Sequence, residues 1–461
     1  MGNRLIKNNK LLPIILITGI TVIAAISYLP FLDYLPLYLE EPRRALIAAN
    51  MLATGNYLVP VHADQIYLSK PPLFNWLICI FSAPFGTVNA WTARLPSVFS
   101  IWLLSIFLVT TSWQRLGIQG SIFWGISTLL SPEILEKGRL AEIDVTFACL
   151  VTAGLWSWWL LDQAQQRGLK LWLIPLSIIM LAYLTKREPA VVFFYLTITG
   201  YLISQHRIKE LLNPGHLIAL ASILLMLSLW IWSLAMYVGW PALWHNLAQE
   251  ILSRGSHTST ARYLKHVLTY PLQIMAAGAP FSLFLFMLFN NKIRLYTCDK
   301  NPKLMQFASI AILVNLPLYW FKGRLPVRYF LPMLPFLLLI TSLIYSTIIE
   351  KTYLLGNHSL RWLYTSISIL YWGVASLALI LVLSSPVTQY LGNFTTSVPW
   401  FMTSSIGLLI LTGLRMWRLH WQRHISEILS LITLLVVLLR ILEFSIYLPL
   451  KFEYLTQTQN A

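Results

Sequence analysis

Apolar residues in this chain come in long runs rather than in alternation. Runs at 11–32, 95–112, 120–135, 145–161, 171–185, 189–204, 216–238, 271–290, 305–321, 327–348, 362–384, 399–415 and 426–449 are long enough to cross a bilayer or nearly so, and predict thirteen transmembrane helices. A further run, Leu73 to Phe85, follows Pro71-Pro72 and stops around Pro84. It is about 13 residues long, roughly 20 Å as a helix, so it reads as an interfacial or re-entrant segment. The polar stretches between runs are too short for a separate soluble domain. The expectation is an all-α polytopic protein forming one membrane-embedded domain over 1–461. That expectation includes a long first outer loop at 33–94, a second long outer loop at 239–270 and no soluble domain after residue 449. A β-barrel is excluded, because its strands would alternate in units of about ten residues.

Composition agrees. Of 461 residues 57% are hydrophobic and only 11% charged, where a soluble domain carries about 25% charged residues. A net charge of +16 would suit nucleic acid if gathered on one face, but the basic residues are scattered over many short loops. Nucleic acid is therefore not expected as a partner; anionic head groups or a phosphate-bearing lipid are. Cys79, Cys149 and Cys298 lie far apart with no metal-ligand spacing. The N-terminal NRLIKNNK ahead of a long apolar run reads as the cytoplasmic flank of a retained first helix.

Lys and Arg divide almost evenly between the two sides, so charge alone does not fix the topology. Thirteen spans place the loops 33–94, 136–144, 186–188, 239–270 and 322–328 together on the non-cytoplasmic side, and these hold most of the acidic residues in mixed-sign clusters. Fourteen spans would put Glu40 and Glu41 across the membrane from Asp144. Carboxylates and cations converging on one face make an active site, which favours thirteen.

Within the first outer loop, Glu41-Pro42 opens a short amphipathic helix, with Glu40 and Glu41 at the end where the helix dipole favours carboxylates. Arg43 and Arg44 beside them exceed what a helix cap requires. Lys70-Pro71-Pro72 reads as a lysine snorkelling at the interface ahead of a proline-started helix, the commonest fate of such a lysine. EKGRLAEIDVT places Arg139, Glu142 and Asp144 where a helix re-enters the membrane, and a carboxylate at that boundary is expensive unless partnered. The loop after Trp240 carries Glu250, Arg254, His257 and Arg262; His257 and His266 lack the further ligands of a zinc site. Arg440 and Glu443 read as an ion pair within the last helix.

In order, Glu-Glu-x-Arg, TGNYLVP, Tyr-Leu-x-Lys-Pro-Pro-Leu, Ala-Arg-Leu-Pro-Ser at 93–97 and Gly-Arg-x-x-x-x-Asp at 138–144 resemble the GT-C membrane glycosyltransferases. The nearest in pattern are the bacterial aminoarabinose transferases that modify lipid A and the protein O-mannosyltransferase-like enzymes. The resemblance covers roughly residues 35–190, thins to Arg328-Tyr329-x-Leu-Pro-x-x-Pro at 328–335, and is only hydropathy after 350. It implies inverting transfer of a sugar from a polyprenyl-phosphate donor to a lipid, glycan or protein acceptor, on the outer face of the cell's inner (plasma) membrane, without a nucleotide sugar. It also implies Glu40 as the catalytic carboxylate, a position usually held by Asp, with Glu41 and Asp144 as further acidic candidates. Arg43, Lys70, Arg139, Arg254 and Tyr329 fall to donor and substrate binding, and the resemblance implies that the outer loop 239–270 is mobile. Ser69 stands where relatives often carry Glu, so no metal site is assigned, and a divalent cation is left open as a cofactor. The rival readings are a secondary transporter or lipid flippase, which would put ionisable residues on broken helices near the midplane and often show two similar halves, and a polysaccharide ligase or polymerase using the same lipid-linked donors.

Overall fold

The computed structural model describes residues 11–245, 260–323, 325–351, 427–443 and 451–452, with single helical positions at 365, 369, 372, 407 and 414. The predicted spans at 362–384 and 399–415, apart from the single positions just named, and residues 246–259 of the 239–270 loop, Arg254 among them, lie outside the described residues.

The first apolar run forms α1 (Leu11–Tyr28), the amphipathic stretch after Glu41 forms α2 (Glu41–Thr54), and the run after Pro72 forms α3 (Leu73–Ser82) with a 3-10 turn at Ala83–Phe85. Then come α4 (Ala90–Leu130), α5 (Pro132–Lys137), α6 (Ile143–Gln163), α7 (Leu169–Lys186), α8 (Pro189–Ser204) and α9 (Pro214–Val238). After the second long loop follow α10 (Thr260–Ala277), α11 (Asn291–Lys300), α12 (Pro302–Trp320), α13 (Leu334–Glu350) and α14 (Ile428–Leu442). The two strands, Val61–His62 and Gln65–Ile66, form a small antiparallel hairpin between α2 and α3.

Two predicted spans, 95–112 and 120–135, are the arms of α4. Gly117 sits inside it at φ 73°, ψ 169°, a conformation glycine adopts without strain. A Cβ on Gly125 would meet Val109 Cγ2 at 2.3 Å and the Ser105 carbonyl oxygen at 3.1 Å, so the chain folds back on itself and the arms touch closely. The expected span 271–290 is different. α10 starts earlier and a 3-10 segment, Phe281–Phe289, leaves it at 115°. Gly278 and Pro280 interrupt the run there, and proline cannot donate the next helical hydrogen bond. Among the described residues six helices are long and apolar enough to cross a membrane, or seven with the bent pair; Leu73–Phe85 falls short.

The helices sort by burial. Of the most apolar stretch of Val327–Glu350, 94% of residues are buried, and of Ile143–Gln163, 83%, so these form the centre. The more apolar α1 and α9 are only 22% and 17% buried, which in water would be untenable and in lipid is expected. Between them lies an aromatic core in which Trp124, Trp156, Trp158 and Trp172 are fully buried, with Trp156 stacked on Trp159 at 5.0 Å. At one end of the bundle α2 and α3 form a layer, with Ala45, Ile47, Ala48 and Met51 packed against Phe74, Ile78 and Cys79 and onward to Ala93, Ala141 and Ile143. Asn75 Nδ2 donates to the Arg44 carbonyl at 2.9 Å and fixes the register of the two helices.

Candidate active site

The two adjacent glutamates have opposite fates. Glu41 is fully buried, and both its oxygens are taken: Oε1 accepts from Arg94 Nε at 2.7 Å and the Ala141 amide at 2.8 Å, Oε2 from Arg94 Nη2 at 2.8 Å and the Tyr38 amide at 3.2 Å. Arg94, near the start of α4, spends its remaining donors on the carbonyls of Leu32, Leu35 and Pro36. One guanidinium thus ties the exit of α1, the start of α2 and the 138–142 loop together. This forked pair is geometrically demanding, and lysine could not replace the arginine. Glu41 has no acceptor position left for a substrate proton. Glu40 precedes it with helical φ −83°, ψ −14° and no side-chain cap bond, and its half-exposed carboxylate pairs with Arg43 at 2.8 Å.

Asp144, in the first turn of α6, is buried and forms an ion pair with Lys186, the last residue of α7. Arg328 Nε lies 4.0 Å from its other oxygen, and the Lys186 ammonium sits 4.3 Å from the centre of the Tyr329 ring. The partner that a boundary carboxylate requires is therefore Lys186, a residue that hydropathy had assigned to a three-residue loop. Glu142, two residues earlier, is also buried. Lys137 and Arg328 approach it at 3.6 and 3.8 Å, but neither carboxyl oxygen accepts a hydrogen bond. Burial raises the Glu142 carboxyl above its ordinary range; Lys137 opposes this and Asp144 adds to it.

Lys70 is placed by the hairpin, whose turn residues Ala63 and Asp64 take positive φ of 49° and 59° and whose exit is pinned by the Tyr67 amide donating to the Pro60 carbonyl at 2.8 Å. The Tyr67 ring faces the guanidinium groups of Arg43 at 5.7 Å and Arg44 at 5.6 Å. Lys70 itself lines a cavity of about 190 Å³ with Arg187, Tyr67, Tyr183, Trp230 and Trp244. Arg187 also donates to the Leu68 carbonyl. It caps α7 at φ 64°, ψ −134°, a conformation that costs a non-glycine residue on the order of 1–3 kcal/mol.

Arg139 belongs elsewhere. It is buried, donates to the carbonyls of Tyr28 at 3.0 Å and Phe31 at 2.9 Å, and lines a larger cavity of about 610 Å³ with Arg94, Arg440 and Lys451. Glu40 pairs locally with Arg43 and is not drawn into the Asp144 cluster. Glu41 connects to that cluster's loop through Ala141. Sequence reasoning missed Lys186 and Arg187; the only hint was that both sit between two spans too close together for an ordinary loop. Among the described residues no three His, Cys, Asp or Glu side chains group as metal ligands.

Residues 69–232 match the family described as dolichyl-phosphate-mannose-protein mannosyltransferase. An undecaprenyl phosphate-α-4-amino-4-deoxy-L-arabinose arabinosyl transferase of Erwinia tasmaniensis is 31% identical over 211 residues, covering 45% of this chain and 37% of that one. Its namesake from Enterobacter sp. is 28% identical over 239 residues, covering 50% and 41%. The chain thus spans about two fifths of the length of the curated relatives it matches. The crystal structure of ArnT from Cupriavidus metallidurans bound to undecaprenyl phosphate superposes with a TM-score of 0.67 at 16% identity, over 95% of this chain and 76% of that one. The apo form of the same protein gives 0.67 at 15% identity, over 94% and 77%. The chain has the GT-C type polytopic membrane fold, and in the sequence of its first half it resembles the aminoarabinose transferases and protein mannosyltransferase-like enzymes.

Proposed function

We propose that the protein is an inverting glycosyltransferase that moves a sugar from a polyprenyl-phosphate donor to a lipid, glycan or protein acceptor on the non-cytoplasmic face of the inner membrane. The observation that carries this reading is Lys70 in an aromatic-walled cavity at the bundle end that also holds the Asp144–Lys186 pair. A phosphate head group at the membrane surface needs cations to meet its charge and aromatic rings at the level of the lipid head groups. The superposed ArnT structure holds undecaprenyl phosphate, which supports a donor of that class.

In the reaction proposed, a carboxylate takes the proton of the acceptor hydroxyl as its oxygen bonds to the anomeric carbon. The C–O bond to phosphate breaks on the opposite face, and the phosphate leaves with the electron pair. Glu40 is the base, because it is half-exposed where Glu41 is saturated. Glu41 holds the frame, and Asp144 positions Lys186, Arg328 and Tyr329. Lys70 and Arg43, with Arg254 from the second long loop, meet the donor phosphate, and Arg139 lines the second cavity for the acceptor side. The test is genetic and chemical. Deleting the gene should remove one sugar mass from an envelope lipid, glycan or protein and build up polyprenyl-phosphate sugar, both seen by mass spectrometry. Wild-type gene should reverse this, and Glu40→Gln should reverse it about 100-fold to 10,000-fold less effectively. An unchanged envelope and donor pool on deletion overturns the reading.

A further inference from the structure

We propose that Arg187 is a second phosphate ligand of the donor site, gripping with Lys70 the phosphate of a polyprenyl-linked sugar. The inference rests on the donor reading above and names a residue that neither motif nor comparison assigns.

It starts from a mismatch between residue and backbone. The chain passes from α7 to α8 in two residues, Arg187 and Glu188, before Pro189 starts the next helix. The turn needs Arg187 at φ 64°, ψ −134°, while its amide still closes the last turn on the Tyr183 carbonyl at 2.7 Å. Glycine would make this turn without strain. What arginine adds is a guanidinium: Arg187 lines the same cavity as Lys70, and its Nη2 donates to the carbonyl of Leu68, a further lining residue. Backbone strain kept at a cleft is a pointer to use rather than to packing.

The cavity's chemistry names the ligand. Among the described residues, Lys70 and Arg187 are the cations that line the cavity, together with Tyr67, Tyr183, Trp230 and Trp244. Trp244 is well exposed, as an aromatic at a membrane interface would be. Lysine is a point charge and orients nothing, whereas a guanidinium presents parallel N–H groups that match two phosphate oxygens. A sugar phosphodiester carries one negative charge, and the departing phosphate gains a second as the C–O bond breaks. A second cation therefore stabilises the departing group more than the bound donor, and Arg187 contributes to turnover as well as affinity.

The experiment uses the full purified chain in detergent with undecaprenyl phosphate as the probe, comparing wild type with Lys70→Ala, Arg187→Gly and Arg187→Lys. Arg187→Gly is expected to unfold at or above the wild-type temperature without ligand, since it relieves the strain, yet to bind the probe about tenfold more weakly or worse. Arg187→Lys should fall between the two. If wild type binds and Lys70→Ala weakens binding while Arg187→Gly matches wild type within about twofold, the inference fails and the donor reading stands. A lower ligand-free midpoint with unchanged affinity assigns Arg187 to tethering Leu68 and overturns it too. Absence of probe binding by wild type removes the donor reading and the inference together.

Discussion

Helix α6 carries a buried aspartate at each end, and the two ends are built on different plans. Asp162, in the last turn, accepts from Arg207 at 2.8 Å, Arg167 at 3.3 Å and Gln163 at 3.1 Å. A negative charge there opposes the helix dipole, so it survives only with such support. Asp144, about 27 Å away along the helix, sits where the dipole favours it. Around it the charges are left short of full pairing. Glu142 accepts no hydrogen bond, and Arg328 stands 3.8 and 4.0 Å from its two carboxylates with its Nε unbonded. Among the described residues at the Asp162 end, the one comparable gap is Glu210 Oε2. Buried charge that is fully satisfied holds a structure together; buried charge with donors and acceptors in hand is what a reacting centre requires. The contrast is the one that the proposed function requires between a reacting end and an anchoring end.

The sharpest way to break this contrast is to ask which end faces out. Asp64 is exposed on the hairpin at the Asp144 end, and Lys209 is exposed beside Arg207 at the other. Asp64→Cys should react with an impermeant thiol reagent in intact spheroplasts and Lys209→Cys only after lysis, an all-or-none difference. The reverse pattern would put the reacting end in the cytoplasm and sink the outer-face assignment.

A second comparison tests the two aspartates directly. Asp144→Asn leaves the buried Lys186 without its counter-charge, a loss of about 3–5 kcal/mol, and should also abolish turnover in whatever protein remains folded. Asp162→Asn frees Arg207 and Arg167, which are partly exposed and can turn to water, so about 1–2 kcal/mol is expected. Thermal unfolding in detergent reads the first quantity, and turnover per folded molecule the second. Equal stability losses, or turnover lost at Asp162, would erase the distinction between the ends.

How much of this was legible in the sequence follows from the range of each interaction. Periodicity is local, so α1, α6, α7 and α9 were all visible, and the Gly117 turn was marked by the gap between two predicted spans. α11 was not, because Asn291–Lys300 is polar and hydropathy sees only apolar runs. The acidic pair, Lys70 and Asp144 stood out as charge in an apolar chain. Their partners did not. Glu41 and Arg94 are 53 residues apart, Asp144 and Lys186 42, and nothing in composition says which cation closes on which carboxylate. The sequence motifs contained Arg94 without indicating that it would saturate Glu41 and so leave Glu40 as the reachable carboxylate. Arg187 was hidden for another reason: its signal is a backbone conformation, which no side-chain pattern encodes.

The smallest effect concerns Glu142 and depends on pH. Its carboxyl is raised from an ordinary value near 4.5 chiefly by burial. The folded protein therefore holds a proton there at pH values where the unfolded chain has already lost it. Linkage gives the sign: stability falls as pH rises above about 4.5, until the folded carboxyl has itself ionised. Glu142→Gln keeps the shape and removes the titration, so its stability should lack this decline. Below pH 4.5 variant and wild type should be close, and near pH 7 the variant should be the more stable by at most about 1 kcal/mol. Urea or thermal unfolding across pH 4 to 8 measures the difference. A wild-type curve that rises over that window relative to Glu142→Gln would mean that Lys137 and Arg328 outweigh burial, that Glu142 is as fully paired as Asp162, and that the slack at this end of α6 is smaller than the 3.6 and 3.8 Å separations indicate.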